Sequence, residues 1–87
     1  MDKIILEKME FYGYHGVYQE EKKLGQRYRV DLTAYLDLKP AGQTDDLNKS
    51  VNYAEIYTLC KGIAEGERFD VIETVAERIA ADVLANY

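Results

Sequence analysis

The strongest constraint in this sequence is a regular alternation that runs from Gln26 to Leu38. Apolar side chains fall on every second position, and mostly polar or charged side chains lie between them. Successive side chains of a strand point to opposite faces of a sheet, so this period of two predicts one long strand with one buried and one solvated face. The apolar set is Tyr28, Val30, Leu32, Ala34, Leu36 and Leu38.

An earlier segment, Lys3–Tyr14, predicts a second strand with less regular faces. Its apolar residues fall on both parities: Ile5, Met9 and Phe11 on one face, and Ile4, Leu6, Tyr12 and Tyr14 on the other. We therefore expect this strand to be covered on both sides. The connection between the strands, residues 15–25, has glycines near each end and charges in the middle, which predicts a hairpin with an excursion.

Pro40 and Gly42 are predicted to end the second strand, and residues 43–51 form a polar, loop-like stretch. Two helices are predicted after this stretch. Asn52 has the position of an N-cap, with Glu55 at capping-box spacing, and we expect this helix to end at Gly66. A second helix is predicted to start at Asp70, again with capping-box spacing to Glu73. The resulting fold class is α+β: an antiparallel sheet with two helices on one face, in the order β-β-α-α.

The composition narrows the classes of protein that fit. The 87 residues suffice for one domain, residues 1–87, and a single cysteine, Cys60, indicates a reducing compartment. No signal peptide core and no membrane-spanning apolar run is present, so we expect a cytoplasmic protein without a membrane partner. The net charge of −5 disfavours nucleic acid as a partner. One His and one Cys fall short of a zinc ligand set, so no metal is expected.

Two strands alone form a poor platform for two amphipathic helices, and their open edges invite pairing. We therefore expect further strands, other subunits, or both to complete the sheet.

The candidate chemical residues each have a structural and a functional interpretation. Glu73 is either a capping residue or an ionised carboxylate, held at a helix N-terminus, that accepts two parallel N–H bonds from a flat ligand. Tyr53 is either a core ring or a stacking and proton-donating phenol. Glu20 and Glu21 suit a solvated loop edge, and His15 suits a hydrogen-bonded structural role better than a catalytic one.

Three blocks in order carry a family resemblance: FYGYHGVYQEEKKLGQRYRVDL, then AGQTDDLNKSVNYAEIY, then FDVIETVAERIA. Together they resemble the dihydroneopterin aldolases of bacterial folate synthesis over nearly the whole chain. The resemblance implies a tunnelling fold (T-fold) with the order β-β-α-α-β-β. It also implies a homo-octamer, built from two stacked tetrameric rings with sites between subunits.

The resemblance further implies a reaction without a cofactor. The family cleaves 7,8-dihydroneopterin by a retro-aldol step to 6-hydroxymethyl-7,8-dihydropterin and glycolaldehyde, and its members often epimerise the substrate. The electron sink is the substrate's own C=N bond, so neither a metal nor a lysine Schiff base is needed.

By similarity, Glu73 anchors the amino-pyrimidinone edge of the pterin and Ile72 adds backbone contacts. Tyr53 of a neighbouring subunit covers the pterin and helps to protonate the intermediate, and Glu21 lies near the hydroxylated side chain. Val51 and Asn52 are expected to line the same pocket.

The family pattern includes a catalytic lysine in a strand pair after the second helix, and this sequence departs from that pattern. None of the seven lysines here occupies a matching motif, so the domain is interpreted as C-terminally incomplete. Two alternatives to the aldolase are an epimerase acting on dihydroneopterin triphosphate and a non-catalytic pterin-binding subunit.

Overall fold

The computed structural model describes residues 1–87 and contains two strands and four helices. They follow one another as β1 (Asp2–Gly13), α1 (Gln19–Leu24), β2 (Gln26–Leu36), α2 (Lys39–Thr44), α3 (Tyr53–Ala64) and α4 (Ile72–Asn86), with a 3-10 turn at Leu47–Lys49. The strands pair antiparallel. The predicted order of two strands and two long helices is confirmed. The predicted excursion contains α1, and the segment predicted as a loop contains part of α2 and the 3-10 turn.

The alternation in β2 is confirmed, because its even-numbered residues from Tyr28 to Leu36 are half-buried and its odd-numbered ones are exposed. The strand ends at Leu36, two residues before the predicted Leu38. There the Leu38 N–H donates to the Asp2 carboxylate over 2.9 Å, and Pro40 lies in the first turn of α2. Proline is favoured in a first helical turn, so it begins a helix here as well as following a strand.

The prediction that β1 is covered on both sides is wrong, and a β-bulge explains the mixed pattern. Leu6 pairs with Leu32 and Met9 pairs with Val30, so two residues of β1 oppose one residue of β2. The extra residue moves the inward side chains from even to odd positions. Consequently Ile4, Leu6, Met9 and Phe11 all face the helices, while Ile5, Tyr12 and Tyr14 are exposed.

Only half of the first predicted capping box forms. The Asn52 side chain accepts from the Ala54 N–H over 3.0 Å, as an N-cap should. The Glu55 carboxylate instead accepts from the Tyr87 hydroxyl over 2.8 Å, which ties the start of α3 to the end of α4 and raises the pKa of Tyr87. Helix α3 ends at Ala64, one half-turn before the predicted Gly66.

The second predicted capping box is wrong. Helix α4 starts at Ile72, and its N-cap Val71 provides no side-chain bond. The Asp70 carboxylate is 2.9 Å from the Arg68 guanidinium. The Asp70 carboxylate therefore bonds Arg68 instead of capping the helix, and the backbone is extended at the N-cap Val71. Glu73 still lies in the first turn of α4.

The core lies between one face of the sheet and helices α3 and α4. Ten of the 87 residues are buried, so the core is small for a chain of this length. Burial raises the pKa of the Cys60 thiol. A groove of ≈ 550 Å³ separates β2 from α4, and for this reason the inward face of β2 is only half-buried. The apolar core residues are Met9, Phe11, Val51, Ile56, Cys60, Ala64, Val75 and Ile79. None of the helices combines the length and apolar character that crossing a bilayer requires.

Candidate functional site

A cleft of ≈ 320 Å³ lies where the end of β1, helix α1 and the start of α4 meet. Three of the predicted site residues, Glu21, Ile72 and Glu73, line it. Tyr53 does not. The full lining is His15, Gly16, Val17, Glu21, Gln26, Tyr28, Asp70, Val71, Ile72 and Glu73.

Gly16 makes room for the Glu21 carboxylate. Its φ of +129° lies where residues with a side chain are strained. A Cβ on Gly16 would lie 1.3 Å from Glu21 Oε2, which is an impossible contact. Glu21 itself is half-buried in the first turn of α1. The prediction of a solvated loop edge is therefore wrong for Glu21, because its carboxylate packs against the turn at Gly16.

The cleft is acidic. Glu21, Asp70 and Glu73 line it, and no lysine or arginine does. Glu73 is exposed in the first turn of α4, where a negative charge interacts favourably with the helix dipole. Nowhere in the chain do three His, Cys, Asp or Glu side chains converge as metal ligands. This arrangement suits a neutral or cationic ligand that presents N–H donors.

His15 forms one wall of the cleft with both ring nitrogens engaged in bonds to the protein. Its Nδ1 accepts from the Phe69 N–H over 3.1 Å, and its Nε2 lies 2.7 Å from the Ala64 carbonyl. A nitrogen that accepts carries no proton, so Nε2 carries the proton and donates it to Ala64. The ring is buried. Both nitrogens are therefore occupied, as in a hydrogen-bonded structural histidine.

Two further cleft residues carried no functional signal in the sequence analysis. The Gln26 amide donates to the Tyr28 hydroxyl over 3.1 Å, and this hydroxyl donates to the His15 carbonyl over 2.9 Å. Tyr28 was predicted only as a member of the alternating strand. Its parity places it on the helix-facing side, but only the tertiary structure brings it to the turn at His15.

Tyr53 lies in a different surface depression, beside the bulge of β1. It is the first residue of α3 and is 68% exposed. The depression is lined by Leu6, Glu7, Lys8, Met9, Glu10, Tyr53, Ala54, Tyr57 and Thr58. Val51 is buried in the core, and the Asn52 side chain caps α3. None of these three residues lines the cleft of its own chain.

The fold and the cleft define a class. An antiparallel strand pair carries two helices on one face, and an acidic cleft opens where the second of them begins. This is the α+β architecture of the tunnelling fold, and it matches a solved structure of that class. The crystal structure of Escherichia coli dihydroneopterin aldolase in complex with neopterin superposes with a TM-score of 0.93 at 31% identity, covering 100% of this chain and 76% of that one.

Sequence comparisons specify the family. The family model described as FolB: Dihydroneopterin aldolase matches residues 4–87. Dihydroneopterin aldolase of Bacillus subtilis (strain 168) is 63% identical over 87 residues, which are 100% of this chain and 72% of that protein. Dihydroneopterin aldolase 1 of Arabidopsis thaliana is 44% identical over 86 residues, 99% of this chain and 59% of that protein. The chain belongs to the dihydroneopterin aldolase family, carbon–carbon lyases of folate biosynthesis.

Proposed function

We propose that the cleft beside α4 binds 7,8-dihydroneopterin and that the chain cleaves its side chain, giving 6-hydroxymethyl-7,8-dihydropterin and glycolaldehyde. The observation that carries the proposal is the meeting of Glu21 and Glu73 in one cleft without a basic residue. The E. coli relative, whose structure is a complex with neopterin, supports a pterin as the ligand.

Glu73 anchors the pterin ring in this proposal. The amino-pyrimidinone edge of a pterin presents two roughly parallel N–H donors, and an ionised carboxylate accepts both. Ile72 begins α4, and the first amides of a helix have no carbonyl partner within it. The Thr74 N–H donates to the Val71 carbonyl over 3.1 Å, so the Ile72 and Glu73 amides are the ones available to the ring carbonyl. The acceptor and donor pattern at the start of α4 is thus complementary to that edge.

The cleavage follows from the electronics of the substrate. The hydroxyl on the second side-chain carbon loses its proton, and the bond between the first and second side-chain carbons breaks. The second carbon leaves within glycolaldehyde as its carbonyl, and the electron pair moves into the ring C=N bond. Protonation of the first side-chain carbon then gives the hydroxymethyl product.

The chain's own residues hold the substrate and move protons. We assign Glu21 to the hydroxylated side chain, since its carboxylate lies against Gly16 at the wall of the cleft. We assign Tyr53 of a neighbouring subunit to cover the pterin and take part in protonating the intermediate. The family resemblance expects the main base to be a lysine, and no lysine lines this cleft.

A shared site requires an oligomer, and we propose the octamer of two tetrameric rings. The separation of Tyr53 from the cleft within one chain supports this assembly. So do the two-stranded sheet and its exposed side chains Ile5 and Tyr12.

The acidic lining argues against the alternative of dihydroneopterin triphosphate, because the Glu21 and Glu73 carboxylates repel phosphate and Arg68, which bonds Gly16 at the edge of the cleft, is already paired with Asp70. The test is a product assay with free 7,8-dihydroneopterin and with its triphosphate. We expect glycolaldehyde from the free substrate and at most weak turnover of the triphosphate. Epimerisation of the side chain in the same assay would support the second activity of the family. Preferred turnover of the triphosphate, or pterin binding without glycolaldehyde, would contradict the proposal.

A further inference from the structure

Hydrogen bonds donated in both directions join the turn at His15 and Gly16 to the segment Arg68-Phe69. The Phe69 N–H donates to His15 Nδ1 over 3.1 Å, and the Gly16 N–H donates to the Phe69 carbonyl over 3.0 Å. The Arg68 guanidinium donates to the Gly16 carbonyl and also bonds the Asp70 carboxylate. Both polar groups of the Phe69 backbone are therefore held by one turn.

The side chain of Phe69 is held as firmly as its backbone. Its ring stacks on His15 with centroids 5.8 Å apart and an interplanar angle of 12°. The Arg78 guanidinium carbon lies 5.6 Å from the Phe69 ring centroid, in cation–π contact. Arg78 belongs to α4, so this stack joins the turn to the helix that carries Glu73.

The two joined segments carry the two carboxylates that we assign to the substrate. Glu21 packs on Gly16, and Glu73 follows Phe69 by four residues. A ligand that bridges both carboxylates requires a fixed distance between them. We propose that His15 is a positioning residue, whose Nδ1 bond to Phe69 sets where Glu73 lies and thereby governs pterin affinity. This inference rests on the proposed function of the cleft.

The two ring nitrogens of His15 bond different elements, and two variants can remove one bond while keeping the other. His15 Nε2 bonds Ala64 at the end of α3, whereas Nδ1 bonds the segment that leads into α4. An Asn side chain places an amide oxygen near the Nδ1 position and keeps an acceptor for Phe69. A Gln side chain reaches the Nε2 position and keeps a donor for Ala64, but leaves the Phe69 N–H without its acceptor.

The experiment measures neopterin dissociation constants and melting temperatures of wild type, His15→Asn, His15→Gln and Cys60→Ala. Cys60 is buried in α3 and does not line the cleft, so its variant reports the effect of lost core packing alone. We expect all three variants to melt at a lower temperature. Only His15→Gln should weaken neopterin binding by about tenfold or more. His15→Asn should stay within about threefold of wild type.

A double-variant comparison tests whether His15 acts through Glu73. If it does, adding His15→Gln to Glu73→Gln should weaken binding by less than about twofold, because the group being positioned has already been altered. Independent multiplication of the two losses would overturn the proposal. Equal losses in His15→Asn and His15→Gln, or unchanged binding in both, would also overturn it, while neopterin binding by the wild type would still support the proposed function. A wild-type protein that does not bind neopterin would contradict the proposed function itself.

Discussion

At the scale of single residues, the most demanding position is Gly16. It combines a backbone conformation that disfavours a side chain with a carboxylate in the place of its Cβ. The Glu21 carboxylate reaches the wall of the cleft because nothing else occupies this space. The conformation of the turn and the proposed contact of Glu21 with the substrate thus both depend on the absence of a Cβ at Gly16.

We expect Gly16→Ala to lower the free energy of unfolding by about 1–3 kcal/mol, the usual range for a side chain forced into this region of φ and ψ. The displaced Glu21 should also reduce turnover of dihydroneopterin. Urea unfolding and the product assay measure the two effects.

Gly42→Ala is the matched control, since Gly42 lies in α2 with open space where a Cβ would be. This change should leave turnover unaltered and raise stability by about 0.5–1 kcal/mol, because alanine is the better helix former. A Gly16→Ala protein as stable and active as wild type would contradict the steric account.

The sequence identified some residues of the cleft and its surroundings and missed others. Glu73 and Glu21 were identified through their family motifs, and both line the cleft. Gly16 and Phe69 were not singled out, since a positive φ or a backbone bond to a distant histidine leaves no local pattern. His15 was expected to be structural, and its two bonds connect residues 49 and 54 positions away along the chain. Such long-range partners cannot be deduced from spacing.

At the scale of elements, the bulge of β1 determines which face of the sheet is covered. Its extra residue brings Ile4 and Leu6 onto the same side as Met9 and Phe11. Lys8 has a positive φ of 56°, and its N–H donates to the Asp31 carboxylate over 2.7 Å. The opposing strand therefore provides the acceptor that the interrupted ladder lacks.

Asp31→Ala should destabilise the fold by about 1 kcal/mol, as expected for the loss of one exposed hydrogen bond. Asp31→Asn keeps an amide oxygen at the same place and should lie close to wild type. Urea midpoints at equal slopes measure the difference. If Ala and Asn lower the midpoint equally, the Asp31 carboxylate does not hold the bulge.

The bulge also shows why the two strands differed in how well they could be predicted. In β2 the alternation is unbroken, and the pattern fixes the faces without further information. In β1 the parity changes once, and a change of parity is consistent either with two covered faces or with a bulge. Only the pairing with β2 distinguishes them. The prediction that α4 starts at Asp70 was wrong for a related reason, because Asp70 has capping-box spacing but its carboxylate bonds Arg68.

At the scale of the whole molecule, the fold separates groups that the proposed reaction needs together. Glu21 and Glu73 line the cleft, whereas Tyr53 is in a separate depression beside the bulge. A complete site then requires that the cleft of one chain meets the Tyr53 surface of another. Symmetric closure of such head-to-tail contacts gives rings.

Subunit mixing tests this sharing. Tyr53→Phe and Glu73→Gln should each lose most turnover when every subunit carries the change. Refolding the two variants together should restore roughly a quarter of wild-type turnover, because random pairing in a ring unites an intact Tyr53 with an intact Glu73 at that fraction of sites. Tyr35→Phe mixed with Glu73→Gln is the control for ring composition, since Tyr35 is as exposed as Tyr53 but lies on β2.

In that control mixture, turnover should follow the fraction of subunits with an intact Glu73. No recovery with Tyr53→Phe, despite mixed rings by native mass spectrometry, would place the whole site within one chain.

The central claim is that the carboxylate at the start of α4 anchors a pterin, and a titration with neopterin tests it most directly. Wild type should bind, and Glu73→Gln should lose about 1.5–3 kcal/mol of binding free energy, because a charge-assisted pair of hydrogen bonds is removed. Glu77→Gln removes the same charge from α4 outside the cleft and should bind as wild type does. Equal affinity for neopterin in Glu73→Gln and wild type would contradict the account.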